Sequence, residues 1–113
     1  MTSTEPRITL NPLRHRVQVT IGDTRLADTT RVLELRERGY PPRIYVPRED
    51  VCMNRLTRSD TVTHCPFKGD AAYFSFDDRA DVAWSYEQPL EGMETIAGYL
   101  AFDDDKALVT EVP

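Results

Sequence analysis

The sequence predicts a mainly β, small single-domain protein in which short antiparallel strands form a β-tent or sandwich-like pair of sheets, with at most one or two helical turns. Three observations support this fold class: apolar and polar residues alternate in several short segments, turn signals recur about every ten residues, and no long amphipathic helix is present. The 113 residues, 40% of them hydrophobic, suffice for one core but not for two.

The chain is expected to begin with a flexible arm. Residues 1–13 are polar, are interrupted by Pro6 and Pro12, and show no periodicity. We therefore place the single β domain at residues 14–113.

The first hairpin has the clearest pattern. Residues 16–21 alternate, Gly22 and Asp23 form a turn, and residues 25–28 return as the second arm. The residues expected on the buried face of the first arm are Val17, Val19 and Ile21.

The next segments are short. Residues 30–38 fit a helical turn or a strand, and the β-branched lead-in before Gly39 favours a strand. Residues 44–46 form a strand that Pro47 ends. Residues 48–58 show no single period, so a helical turn and an irregular strand both remain open.

A central loop is predicted to follow, opening at Ser59. Within it, residues 63–69 should be ordered at the rim of a cavity, because Pro66 restricts the backbone and Gly69 releases it. Residues 71–76 and 82–86 then form the second hairpin.

The C-terminal part is predicted from weaker patterns. Residues 90–95 suit one helical turn, and residues 96–102 suit a strand that bends at Gly98. Residues 106–112 suit an edge strand or a frayed tail.

Four motifs in this order carry a resemblance to a known family: Tyr45-Val46-Pro47-Arg48-Glu49-Asp50-Val51, Thr63-His64-Cys65-Pro66-Phe67-Lys68-Gly69-Asp70, Ala83-Trp84-Ser85-Tyr86 and Ile96-Ala97-Gly98-Tyr99-Leu100-Ala101-Phe102. From about Arg16 to Val109 the chain resembles the bacterial domain of unknown function family 427, which is also labelled nucleotidyltransferase. The resemblance implies a small, mostly β domain similar to the β-tent architecture, whose other members often bind zinc or small ligands.

Charge and cysteine content limit the partners. A net charge of −5, from 14 basic and 19 acidic side chains, argues against nucleic acid, and no apolar run is long enough to span a membrane. We expect a soluble, cytoplasmic monomer or homodimer. Cys52 and Cys65 do not form a Cys-x-x-Cys pair, so we predict no metal and no cofactor; a disulfide between them is geometrically possible, but a chain with no secretory signal should keep both thiols reduced.

Lys68 and Cys65 are the candidate catalytic residues. The chain has twelve arginines but only two lysines, so Lys68 marks a place where a compact ammonium is preferred. It either contacts an anionic or carbonyl group of a ligand or pairs with Glu37 or Asp70 to hold the loop. Cys65 is either a nucleophile activated by a nearby cation or a buried structural cysteine, whereas His64 should be exposed.

Aromatic residues suggest a pocket. Trp84 and Tyr86 lie on one face of their strand, and Tyr45 and Tyr73 lie on strands that could adjoin it. These rings either belong to the core or form a wall on which a flat ligand stacks. The candidate ligand-binding residues are Lys68, Cys65, Trp84, Tyr86, Tyr45 and Glu37.

Three functions remain open. The first is binding of a small polar metabolite in an aromatic-walled pocket closed by residues 65–69, and the second is a small enzyme that uses Cys65 or Lys68. The third is a dimeric interaction domain. The sequence has no Gly-rich phosphate loop and no Gly-Ser motif followed by spaced aspartates of the kind found in familiar nucleotidyltransferases.

Overall fold

The computed structural model describes residues 7–112, of which most are extended; strands make up 58% of the structure. The strands, numbered in chain order, are β1 (Ile8–Leu13), β2 (Arg16–Ile21), β3 (Thr24–Thr29), β4 (Val32–Glu37), β5 (Arg43–Tyr45), β6 (Thr57–Cys65), β7 (Gly69–Phe76), β8 (Arg79–Ser85), β9 (Ala101–Phe102) and β10 (Leu108–Val112). They form three antiparallel sheets, in the orders β1-β4-β5, β10-β2-β3 and β6-β7-β8-β9. The predicted mainly β fold class is confirmed.

Helical structure in the described part is limited to short 3₁₀ turns. These are Arg48–Asp50, Met53–Arg55 and Glu94–Ile96, one more than the sequence predicts at most. The first two lie in the segment 48–58, whose type the sequence left open. No described helix has the length and apolar character needed to cross a membrane.

The first sheet corrects the prediction of a flexible arm. Ile8–Leu13 forms β1, which pairs along its whole length with β4, so the prediction for residues 1–13 is wrong over these six residues. Residues 1–6 lie outside the described residues. Ile8 and Leu10 pack against a core cluster, but Pro12 interrupts the pattern inside the strand, so the segment is too short and irregular to be recognised as a strand from its sequence.

The second sheet agrees with the sequence. Val17, Val19 and Ile21 are buried on one face of β2, and Gly22 adopts a positive φ of 57° in the turn to β3. β10 completes this sheet beside β2, as the edge-strand alternative for the C-terminal segment proposed. The strand interpretation of residues 30–38 is also confirmed, by β4.

The third sheet corrects the predictions of a central loop after Ser59 and of a strand over residues 96–102. The expected central loop is mostly strand: β6 extends from Thr57 to Cys65, and only Pro66, Phe67 and Lys68 separate it from β7. β6 is an edge strand that is exposed over most of its length, so it lacks the apolar face that would have indicated a strand. The predicted strand at 96–102 is confined to β9, because the chain turns at Gly98, where φ is 78°.

Hydrophobic clusters cover both faces of the third sheet. On one face, Phe74, Ala83 and Phe102 pack with residues of the second sheet such as Val19 and Leu26. The opposite face contributes to a separate cluster with the first sheet, because successive strand residues point to opposite sides. The members of this second cluster include Leu33, Leu35, Tyr45, Ala71, Tyr73, Trp84, Tyr86 and Ala101.

Candidate functional site

A cleft of about 330 Å³ lies between the first and third sheets, beside the second hydrophobic cluster. All six candidate ligand-binding residues line it. The full lining is Leu35, Glu37, Tyr40, Pro41, Arg43, Tyr45, Cys65, Lys68, Tyr73, Trp84 and Tyr86. The structure thus brings the predicted residues together, whereas a role in binding remains a prediction.

The first sheet supplies the charged side of the cleft. Leu35 and Glu37 are two residues apart on β4, so their side chains point to the same face. Arg43 is the register partner of Leu35 on β5, which places its side chain on that face as well. Strand pairing therefore positions a carboxylate and a guanidinium on either side of a buried leucine.

The third sheet supplies the aromatic side. Tyr73 on β7 pairs with Trp84 on β8, and their ring centroids are 6.2 Å apart at an angle of 37°. Tyr86 follows two residues after Trp84, and Cys65 lies at the end of β6. The Trp84 Nε1 donates a hydrogen bond of 3.4 Å to the hydroxyl of Tyr45, which joins the aromatic residues across the two sheets.

The turn between β6 and β7 positions Lys68. The Lys68 amide donates to the Cys65 carbonyl at 3.3 Å, and the Lys68 carbonyl accepts from the Leu90 amide at 3.0 Å. Gly69 has a φ of 111°, and a Cβ there would approach the Leu90 backbone nitrogen to 3.4 Å. The glycine is needed for its backbone conformation, whereas the contact with Leu90 alone would tolerate a Cβ.

Lys68 forms an ion pair with Glu37 across the two sheets. Its Nζ donates to a Glu37 carboxylate oxygen at 2.7 Å, and the two side chains are only 11% and 9% exposed. The other Glu37 oxygen lies 3.7 Å from Nε of Arg7, and the Lys68 Nζ lies 5.7 Å from the centroid of the Tyr86 ring. Lys68 thus pairs with Glu37, one of the two predicted carboxylates, and also lines the cleft.

Asp70 and His64 are not part of this arrangement. The His64 Nδ1 hydrogen-bonds an Asp70 carboxylate oxygen at 2.7 Å on the outer surface, where both side chains are largely exposed. This confirms that His64 is exposed and shows that Asp70 is bound elsewhere. Neither residue lines the cleft.

Both cysteines are free thiols. Cys65 is partly buried in the cleft wall, whereas Cys52 is exposed and lies outside the cleft. The cation predicted to activate Cys65 is engaged by Glu37, and the described residues provide no hydrogen-bonded base for the thiol.

Metal-ligating side chains converge at one place within residues 7–112. These are Asp103, Asp104 and Asp105, which lie on a largely exposed turn and do not themselves line the cleft. Exposed acidic turns of this kind are commonly only solvated. No His or Cys belongs to the group.

Burial raises the pKa values of two tyrosines that line the cleft, Tyr45 and Tyr86. Desolvation raises the pKa of Tyr45 to about 12, with a smaller opposing effect of the hydrogen bond from Trp84. Desolvation likewise raises the pKa of Tyr86 well above its usual range. Both hydroxyls therefore remain protonated at neutral pH, and the described residues offer no hydrogen-bond partner to that of Tyr86.

Sequence reasoning missed Arg43 as a member of the site. Its guanidinium carbon lies 5.0 Å from the centroid of the Trp84 ring. Arginine is abundant in this chain, so its residue type carries no signal. The register that places Arg43 opposite Leu35 would have been needed to find it.

We expect replacement of Lys68 by methionine to lower the free energy of unfolding by about 3 kcal/mol, because it removes the hydrogen-bonded cation from a buried carboxylate and leaves only the more distant Arg7 at 3.7 Å. Replacing Glu37 by leucine in the same protein should restore most of the loss. Urea denaturation measures both effects. The matched control is Lys106→Met, which removes an exposed hydrogen bond of 2.9 Å to the Ala80 carbonyl and should cost about 1 kcal/mol or less. A Lys68→Met variant as stable as the wild type would contradict a structural role for the pair.

We also expect stability to fall as pH rises above about 10. Between the ordinary tyrosine value of 10.0 and about 12, folded Tyr45 keeps a proton that the unfolded chain releases, so alkali favours unfolding. The loss amounts to about 3 kcal/mol across this range. The raised pKa of Tyr86 lowers the stability at alkaline pH in the same way.

Urea midpoints from pH 8.5 to 11 test this dependence. Tyr45→Phe should flatten the decline, whereas Tyr40→Phe, at a 65% exposed position, should leave it unchanged. Equal slopes in the wild type and Tyr45→Phe would show that Tyr45 does not contribute.

Comparison with known proteins gives one positive result. No curated protein matches the sequence. The sequence model of the family described as a domain of unknown function, DUF427, matches residues 9–112, which include every strand that lines the cleft. The chain therefore belongs to the DUF427 family.

Proposed function

We propose that this domain binds a small, polar metabolite with a flat ring in the cleft between the first and third sheets. The observation that carries the proposal is the convergence of aromatic rings from two sheets on one cleft that also contains an ammonium, a carboxylate and a guanidinium. Ligand sites typically combine apolar and aromatic walls with a few polar groups that orient the ligand.

The composition of the cleft favours binding over simple core packing. The first hydrophobic cluster, by contrast, is built from aliphatic and phenylalanine side chains and contains no tyrosine or tryptophan. The rings of the cleft carry polar tips, and that of Tyr86 lacks a partner among the described residues. Among the described side chains only the Ser85 hydroxyl is buried without a partner, so the Tyr86 hydroxyl is accessible to solvent, and a ligand with a hydrogen-bonding group would replace water there.

Lys68 and Glu37 have a definite role in this proposal. Their ion pair presents two free donor positions of the ammonium and the remaining lone pairs of the carboxylate beside the rings. A polar substituent of the ligand can therefore bind without breaking the pair. We further propose that the domain acts without nucleic acid or membrane, as a monomer or homodimer, in keeping with its net charge of −5.

A thermal-shift screen of polar aromatic metabolites tests the proposal. A ligand at 100 times its Kd should stabilise the protein by about 2.7 kcal/mol, which raises the melting temperature by several degrees. Trp84→Leu should abolish the shift because it removes a ring of the cleft. The control, Tyr99→Leu, removes a ring of the same cluster outside the cleft and should retain it. A shift that persists in Trp84→Leu, or no shift with any compound, would contradict binding in the cleft.

The second candidate function is a covalent enzyme, favoured by the presence of the Cys65 thiol in the cleft wall. Alkylation by iodoacetamide at pH 6 and pH 8, followed by mass spectrometry, distinguishes the two. We expect Cys65 to react slowly at pH 6, because no base is bonded to the thiol in the described structure and Glu37 holds the nearby ammonium. Exposed Cys52 provides the internal reference. Rapid, selective alkylation of Cys65 at pH 6 would favour the enzyme instead.

A further inference from the structure

The charges that line the cleft do not cancel. Three lining residues are charged, namely Glu37, Lys68 and Arg43. Glu37 compensates Lys68 at 2.7 Å, so the guanidinium of Arg43 is left as the surplus charge of the lining.

Arg43 has unused hydrogen-bonding capacity. Its Nη1 donates to the Phe102 carbonyl at 3.3 Å and lies 3.6 Å from a carboxylate oxygen of Asp104. The Asp104 side chain is 72% exposed, so solvent weakens this pair. Nε and Nη2 make no hydrogen bond within residues 7–112. A guanidinium with free donors at two nitrogens matches the planar geometry of a carboxylate.

The aromatic residues indicate which kind of molecule would bring a carboxylate to Arg43. The Arg43 guanidinium lies above the Trp84 ring, and Tyr73 lies against the same ring. A ligand ring that enters beside Trp84 would hold its substituent next to Arg43. The cleft volume of about 330 Å³ is near the lower limit of ligand cavities, about 300 Å³, and so suits a compact ligand.

From these observations we propose that the ligand class of the cleft is a flat aromatic compound with a single carboxylate, and that Arg43 binds this carboxylate. The inference rests on the proposed binding function and assigns its chemical class. A cationic ligand would be repelled by the surplus guanidinium, and because Glu37 and Lys68 compensate each other, the lining offers one positive charge, which a single carboxylate matches. Arg43 is therefore the residue that sets specificity, while the Lys68 and Glu37 pair shapes the adjoining wall.

The test uses three probes with the same ring system and different charge: 2-naphthoate, 2-naphthamide and 2-naphthylmethylammonium. Trp84 is the only tryptophan, so its indole N–H gives a single resonance in a ¹⁵N-correlated NMR spectrum and reports directly on the cleft. We expect 2-naphthoate to bind about tenfold more tightly than 2-naphthamide, because a hydrogen bond to a charged group adds that much affinity. The ammonium probe should bind most weakly.

Variants of Arg43 assign the preference to this residue. Arg43→Gln should reduce the preference for the carboxylate over the amide by about threefold or more, whereas Arg43→Lys, which keeps the charge but loses the planar fork, should retain part of it. The control, Arg25→Gln, removes an exposed arginine from β3, outside the cleft, and should leave the preference unchanged. The spectra themselves report whether each variant is folded.

The outcomes separate this inference from the proposed function. If all three probes shift the Trp84 resonance with equal affinity, the cleft binds small molecules but the carboxylate assignment is wrong. Tighter binding of 2-naphthyl phosphate than of 2-naphthoate would also contradict the assignment of a ligand with a single carboxylate. An unchanged preference in Arg43→Gln would remove Arg43 from the site. If no probe shifts the resonance at millimolar concentration, both proposals fail.

Discussion

The ion pair between Lys68 and Glu37 connects the two halves of the cleft. Its carboxylate lies on β4 of the first sheet and its ammonium on the turn that leads into the third. A buried pair of this kind gains little net stability over an apolar contact, but a single unpaired member is costly. The pair therefore penalises any shift of one sheet relative to the other, and the dimensions of the cleft depend on it.

The remaining cleft geometry follows from this constraint. With the turn fixed at Lys68 by Leu90 and by Glu37, the strands on either side bring Cys65 and Tyr73 to the face that looks towards the first sheet. The rings at this interface carry polar tips, and those of Tyr45 and Tyr73 are hydrogen-bonded to Trp84 and Thr63. The two faces of the third sheet thus differ physically: one is packed with aliphatic and phenylalanine side chains, and the other leaves an opening.

The sequence predicted the strands that have an apolar face and failed where that face is absent. β2, with its alternating valines, was predictable, whereas β6 is exposed over most of its length and Ile8–Leu13 has no clean period. Lys68, Cys65 and Trp84 can be recognised from the sequence because lysine, cysteine and tryptophan are rare in this chain. Arg43 could not be found in this way, because only its register opposite Leu35 places it in the cleft.

Structural and binding roles of Lys68, which the sequence presented as alternatives, are compatible in this arrangement. Because Glu37 compensates the ammonium of Lys68, the remaining charge of the cleft lining is the guanidinium of Arg43 on the neighbouring strand. The same neutralisation removes the cation that would have activated Cys65. One ion pair therefore both joins the two sheets and leaves Arg43 on β5 as the charged lining residue that no other lining residue compensates.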